Sequence, residues 1–280
     1  MSPLPGALAA YVACVSQFDG QNYPGSPLIA LAALRHQDRL TLIESQPAEH
    51  AALREAVKNA SRHARERGGT PESITIECAD GYERLPAWLP PIERRALVMI
   101  DPPYEETAVD FKSAERAAQE ALRRLANAVI AIWYPIKQVK DTDAWRSRLI
   151  SALPQKAGGE AVAGITLELW IHPLDNRVGL NGSGMLLINP PFQFEDRARH
   201  WLPALHAALD PQGGGGCAVR YHQTHHDAIR YRKQFGNPRS LWRRRPSDRA
   251  QLIARHTRSL RRSHSSIDDV RPVRHRTRKL

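Results

Sequence analysis

The chain has 280 residues, 42% of them hydrophobic, which is enough for one α/β domain or two small ones with a real core. It contains no run of about 18 apolar residues that would span a membrane, and its opening, Met1-Ser2-Pro3-Leu4-Pro5, lacks the basic segment of a secretory signal, so a cytoplasmic protein is expected. The net charge of +11 is unevenly spread: residues 217–280 hold 18 Lys+Arg against 4 Asp, or +14, which leaves residues 1–216 at −3.

In chain order, Leu4, Leu8, Tyr11, Val12 and Val15 recur at helical spacing over 4–17. Gln21 to Gly25 is a turn, and Ser26-Pro27 then reads as the N-cap and first residue of a helix through Arg35. Leu40 to Ile43 is a buried strand ending on Glu44, followed by a helix over 47–66 whose charged end, from Ala60, is expected to loosen into a loop. Ile74 to Ile76 is a strand leading to Asp80-Gly81, with a short helix from Tyr82 to Trp88. Ala96 to Ile100 is a strand ending on Asp101, with a long helix over 112–126. Ala128 to Trp133 is a strand ending on Tyr134-Pro135, then come a helix over 140–152, strands over 163–171 and 184–188, and a helix over 193–208. Strands alternating with helices of this length need crossover connections, which predicts an α/β fold with a largely parallel sheet covered on both faces. After Tyr221 apolar residues become sparse, and arginine outnumbers lysine 16 to 2 from Cys217 onward. Such a segment buries too little surface to offset its ordering entropy, so residues 217–280 are expected to be a disordered basic tail. Cys14, Cys78 and Cys217 form no CxxC pair and read as simple thiols, and His222, His225 and His226 read as solvated residues of that tail.

Ligands of open α/β sheets bind outside the carboxyl ends of the strands. Here those ends carry Glu44, Asp80-Gly81, Asp101-Pro102-Pro103-Tyr104 and Tyr134-Pro135, three of the four with an acid. Any one such acid can be a mere turn former or helix cap. Asp101 to Tyr104 says more. Two prolines rigidify the loop and lack N–H donors, so their carbonyls can face a substrate. Asp101 and the Pro102 carbonyl can accept both hydrogens of an exocyclic amine, which aims the nitrogen lone pair at an electrophilic methyl group. Tyr104 can stack on a base flipped out of its helix. Asn189-Pro190-Pro191-Phe192 fits the same pattern after a late strand, but Asp101, which lies 21 residues after Asp80 and 57 after Glu44, sits inside the early strand series.

Together these segments resemble the bacterial RlmJ-type family, which methylates N6 of an adenine in 23S ribosomal RNA. The resemblance rests on Tyr23-Pro24-Gly25-Ser26-Pro27, Ile43-Glu44-Ser45-Gln46-Pro47, Ala79-Asp80-Gly81-Tyr82, Leu97 to Tyr104, Ile132-Trp133-Tyr134-Pro135, and Gly182 to Met185 running into Ile188-Asn189-Pro190-Pro191, in order from about Leu4 to Cys217. It implies a class I, Rossmann-like fold dependent on S-adenosylmethionine. Ser26, Glu44, Asp80 and Gly81 would contact that cofactor, Asp101 with Pro102 and Pro103 would accept the amine, and Tyr104 would pack on the adenine. The implied partner is 23S rRNA before its assembly into the finished ribosome, and the implied enzyme is a monomer.

The family's His-containing first segment and its Gly-rich first strand have no counterpart in this sequence. The expected organisation is therefore a remnant of a helical insertion over 1–25, a methyltransferase domain over 26–216 that lacks its first strand, and the tail. In the class I sheet that first strand lies between the strands that end here on Glu44 and Asp101, so cofactor binding by this chain alone is expected to be weak or absent. The alternative function is a catalytically inactive remnant that binds RNA through its tail. DNA adenine methylation is a further alternative, since the four-residue signature does not separate DNA from RNA.

Overall fold

The computed structural model describes residues 4–18, 23–66, 71, 73–154, 162–174 and 179–223. Helices α1 (Gly6–Val15) and α2 (Ser26–Ala33) lead into β1 (Arg39–Glu44), α3 (Pro47–Glu66) and β2 (Ser73–Cys78). Then follow α4 (Gly81–Trp88), β3 (Leu97–Ile100), α5 (Thr107–Arg124), β4 (Val129–Ile136) and α6 (Val139–Ser151). The chain continues through β5 (Ala163–Trp170), β6 (Gly182–Ile188), α7 (Phe194–Leu209) and β7 (Gly216–Gln223). The strands make two sheets. β1 and β2 pair in parallel, Leu40 opposite Ile74 and Glu44 opposite Cys78, while the other five run in the order β3-β4-β6-β5-β7. Among the described residues no ladder joins the two sheets.

Strand periodicity decides where the cores lie. Successive side chains of a strand point to opposite faces. On one face Ile130, Ile132, Tyr134 and Ile136 of β4 join Leu186 and Ile188 of β6 under Phe111, Ala114 and Ala118 of α5 and Trp145 and Leu149 of α6. On the other, Ala131, Met185, Leu187 and Leu167 meet Ala198 and Leu202 of α7. The β1–β2 pair has its own small cluster, built on Leu31 of α2, Leu40 and Val57 of α3. Helix α1 packs on α2 and α7, with Leu8 buried.

Several expectations change. The five-stranded sheet is mixed, with only β3–β4 parallel and β6 running antiparallel to both β4 and β5. Among the described residues the link from Trp170 to Gly182 carries no helix, and β5 and β6 pair antiparallel, which sets β6 beside β4. Helix α2 takes Gly25 as its N-cap, with Ser26 as its first residue and no side-chain cap. Helix α3 runs unbroken to Glu66, and α5 starts at Thr107 because Phe111 and Ala114 already belong to its buried stripe.

The largest correction is at the expected tail. Residues 217–223 form most of β7, antiparallel to β5 with Arg220 opposite Thr166 and His222 opposite Gly164. A buried carboxylate draws this basic stretch in. Glu168 is 5% exposed and accepts from Tyr134 Oη at 2.9 Å, from Arg146 and from Arg220, while His222 bonds Thr166 Oγ1 at 2.9 Å. Residues 224–280, with His225 and His226, lie outside the described residues.

Gly184 stands opposite Tyr134 on one side and Glu168 on the other, and a Cβ there would overlap the Tyr134 ring. Gly184→Ala is expected to destabilise the fold by about 1–3 kcal/mol through overpacking, read as a lower denaturant midpoint. Burial, then the charges of Arg146 and Arg220, lower the His222 pKa from 6.5 to about 4. The unfolded chain therefore binds a proton that the fold refuses, so stability falls as pH drops through the window from 6.5 to 4. His222→Gln should flatten the dependence of the melting temperature on pH in the upper part of that window.

Candidate active site

Asp101 follows β3 directly, where the parallel β3–β4 pair reaches its carboxyl end. Asp101 and Pro103 are exposed and Pro102 is half-buried. Protein packed around Asp101 raises its carboxyl pKa above the ordinary 3.8 by desolvation. A carboxylate with thinned hydration and outward exposure is suited to accept hydrogen bonds from a ligand.

Tyr104 departs from expectation. Its ring is 3% exposed and packs edge-on against Phe111 at 5.4 Å between centroids and tilted on Trp133 at 5.6 Å. Its hydroxyl donates to the Trp133 carbonyl at 2.5 Å, and burial pushes its pKa far up. The ring therefore belongs to the core and offers no stacking face to a base. Phe111 continues the aromatic series onto Trp145 at 4.4 Å, stacked, and Trp145 onto Tyr134, so the loop after Asp101 is anchored in the main core.

Glu44 and Asp80 stand together at the carboxyl end of the other sheet. Glu44 pairs with Cys78, and the Ala79 N–H donates to the Glu44 carbonyl at 3.1 Å. Each carboxylate already has a local duty. Glu44 Oε1 accepts from the Gln46 N–H at 2.8 Å. Asp80 Oδ1 caps α4, accepting from the N–H of Tyr82 at 2.7 Å and of Glu83 at 3.3 Å. Gly81 opens α4 with nothing within 4 Å of where a side chain would be. Ser26 is exposed on the first turn of α2, and among the described residues no hydrogen bond joins its side chain to Glu44, Asp80 or Asp101. Tyr82 of α4 lies near both sheet ends: its hydroxyl is pushed up to about 12 by burial, then by Asp110 and Asp80, and Tyr104 is raised by burial, then by Tyr82, Asp110 and Asp101.

The second proline pair lies elsewhere. β6 is antiparallel to β4 with Ile188 opposite Ile130, so Asn189 emerges where β4 begins and Asp101 emerges where β3 ends. Asn189 Nδ2 donates to the carbonyls of Ala126 and Ala128 at 3.0 and 2.9 Å, which closes the turn before β4.

Sequence reasoning missed Lys137 and Tyr82. Lys137 was hidden by a boundary: β4 runs on to Ile136, so the residue just after this strand is Lys137, a signal the strand-end rule would have raised. Tyr82 Oη is buried with no hydrogen-bond partner among the described residues, which no periodicity reveals. No group of three or more His, Cys, Asp or Glu that could hold a metal occurs among the described residues, and no helix there is long and apolar enough to cross a membrane.

The model of the family described as ribosomal RNA large subunit methyltransferase D, RlmJ, matches residues 1–222. Ribosomal RNA large subunit methyltransferase J of Escherichia coli (strain K12) is 37% identical over 225 residues, 78% of this chain and 72% of the relative. Its namesake in Haemophilus influenzae (strain ATCC 51907 / DSM 11121 / KW20 / Rd) is 34% identical over 223 residues, 78% and 73% of the two chains. The crystal structure of protein LPL1258 from Legionella pneumophila str. Philadelphia 1 superposes with a TM-score of 0.63 at 26% identity, covering 80% of this chain and 76% of that one. The fold is thus that of a mixed α/β methyltransferase. The chain belongs to the RlmJ family of ribosomal RNA methyltransferases, and by family it is an enzyme.

The raised pKa of Asp101 sets the sign of a stability test. Its folded value lies above its unfolded one, so the ionised carboxylate opposes folding at neutral pH. Asp101→Ala is therefore expected to melt at the same temperature as the wild type or higher at pH 7; a clear drop would show that the carboxylate holds the loop instead of awaiting a ligand.

Proposed function

We propose that this chain methylates the exocyclic N6 amine of an adenine in 23S rRNA, taking the methyl group from S-adenosylmethionine. The observation that carries the reading is Asp101-Pro102 at the carboxyl end of a parallel strand, carboxylate outward, in a chain of the RlmJ family. Asp101 and the Pro102 carbonyl would each accept one amine hydrogen, which fixes the nitrogen lone pair outward. Neither proline has an N–H to compete for those acceptors. No protein nucleophile is required, since in-line positioning of amine and methyl supplies most of the rate. Tyr104 serves from beneath, as the anchor that keeps this loop on β4.

The acceptors at the β1–β2 end fit the methyl donor. Glu44 and Asp80 each keep one carboxylate oxygen without a partner among the described residues, suited to hydroxyl and ammonium groups. Gly81 leaves open space, and the Tyr82 hydroxyl has no hydrogen-bond partner among the described residues. S-adenosylmethionine, when bound, supplies an electrophilic methyl on a sulfonium centre. Ser26, on the first turn of α2, would extend the same site.

The partner reading is 23S rRNA before ribosome assembly, bound by a monomer in the cytoplasm. Its ribosomal RNA part is supported by the names of both relatives and by a shallow groove of about 380 Å³ lined by Lys112, Arg116 and Arg148 with Val109 and Glu115. Cations of this kind bind phosphate backbones without sequence preference.

One observation favours the second reading, a catalytically inactive remnant. Among the described residues β1 and β3 share no neighbour and lie in two sheets, and Leu97 and Met99 of β3 are 71% and 48% exposed. This supports a missing strand between them and would weaken the cofactor site by splitting it over two sheets. Calorimetry of the full chain with S-adenosylmethionine separates the two readings, with micromolar binding expected for the enzyme and none for the remnant. With unmodified 23S rRNA and labelled donor, the wild type should transfer label and Asp101→Ala should lose about a hundredfold or more. The acid limb of the rate should have its midpoint above 3.8, because the protonated carboxyl is a poorer acceptor. Equal labelling of duplex DNA would overturn the RNA preference.

A further inference from the structure

Tyr104 holds a left-handed backbone conformation, φ 55°, which a residue with a side chain keeps only when its surroundings fix it. The preceding prolines make this harder, since Pro102 and Pro103 have no N–H with which the loop could bond to the rest of the protein. The loop is held instead from β4, at two points. The Tyr104 hydroxyl donates to the Trp133 carbonyl. Farther along, Lys137 Nζ donates to the Tyr104 carbonyl at 3.1 Å and to Thr107 Oγ1 at 2.9 Å, and that hydroxyl donates to the same carbonyl at 3.3 Å.

Lys137 is itself anchored. Asn181, fully buried, donates its Nδ2 to the Lys137 carbonyl at 3.2 Å and its N–H to the Ile136 carbonyl at 2.9 Å. The lysine thus stands on a fixed strand end and reaches over to a strained turn. An ammonium suits the task because it has three donors and no acceptor, so one group can serve the carbonyl and the hydroxyl together.

We infer that Lys137 is a positioning residue, which clamps the turn after Asp101-Pro102-Pro103 so that the Asp101 carboxylate and the Pro102 carbonyl keep fixed directions. This rests on the proposed role of Asp101 as amine acceptor. Lys137 acts through the backbone of Tyr104 and the hydroxyl of Thr107 and touches no substrate. The same placement puts a positive charge near Asp110 in the first turn of α5, where it offsets part of the rise that burial, Glu106 and Glu105 impose on that carboxyl.

The test uses the full chain with Lys137→Met, which keeps length and removes the donors, and Lys137→Arg, which restores a cation with donors. Hydrogen–deuterium exchange is measured without RNA or methyl donor. Faster exchange is expected over residues 101–107 in the Met variant, unchanged exchange in β5 and β6, and near wild-type exchange in the Arg variant. In the rRNA assay the Met variant should lose about tenfold to hundredfold in kcat with little change in KM for the RNA, and the Arg variant should recover part of it. Unchanged exchange over 101–107 overturns the clamp whatever the activity. Faster exchange throughout the five-stranded sheet also overturns it, by making the lysine a general stabiliser. Faster loop exchange with unchanged kcat removes the positioning role. A wild-type chain that transfers no methyl group refutes the proposed function, and the exchange experiment then still decides the clamp.

Discussion

The burial of β4 is the constraint on which the rest of the molecule depends. Ile130, Ile132 and Tyr134 are fully buried and Ile136 is 3% exposed, all on the face that α5 and α6 cover. A strand with that much apolar surface must be flanked on both sides and roofed by helices, and this fixes β3 on one side and β6 on the other. β4 also outruns β3: Ile100 pairs with Ile132, and β4 continues to Ile136. The overhang is where Pro135 is tolerated, since a proline in a strand with ladders on both sides would cost a hydrogen bond. It is also where Trp133 and Lys137 find the loop that follows Asp101. The candidate site is thus a loop from one strand held by the projecting end of its neighbour.

A second constraint acts at the far side of the sheet. A carboxylate as buried as Glu168 is costly unless its lone pairs are filled by donors. Its donors come from three elements: Tyr134 of β4, Arg146 of α6 and Arg220 of β7. Such a cluster is weak evidence for stability but strong evidence for register, because a one-residue slip of β7 would turn Arg220 to the opposite face. The result is that the edge strand of the sheet comes from a stretch whose composition alone reads as solvated tail.

The parts of the fold legible in the sequence were those with a strong period. The helices α3, α4, α6 and α7, and strands β1, β2, β3 and β5, lie close to where apolar spacing and turn residues placed them, because those signals sit within each element. β7 was illegible because Arg220 and His222 are charged or polar and their partners, Glu168 and Thr166, lie some fifty residues earlier in the chain. The antiparallel course of β6 went unread although a signal existed: the sequence offered no helix between the strands over 163–171 and 184–188, and a parallel return needs a crossover, so the missing helix pointed to antiparallel pairing. At the site, the strand-end acids Glu44, Asp80 and Asp101 could be read from position. The burial of Tyr104 could not, since an aromatic after two prolines looks the same whether it faces a ligand or the core.

The sequence by itself determined the order of its motifs, and with it the family, because six short segments in a fixed series are specific even when each alone is not. It also determined which strand ends carry acids, since that needs only the location of each strand. Tertiary structure alone decided which of the two proline-pair loops stands at the carboxyl end of the parallel strands, because antiparallel pairing sends Asn189 to the opposite end. It alone decided that Tyr104 anchors the loop from within and that β1–β2 and β3 stand in separate sheets. The physical reason is common to all three. Period and composition describe a residue's own element, whereas direction, burial and pairing depend on which distant element packs against it.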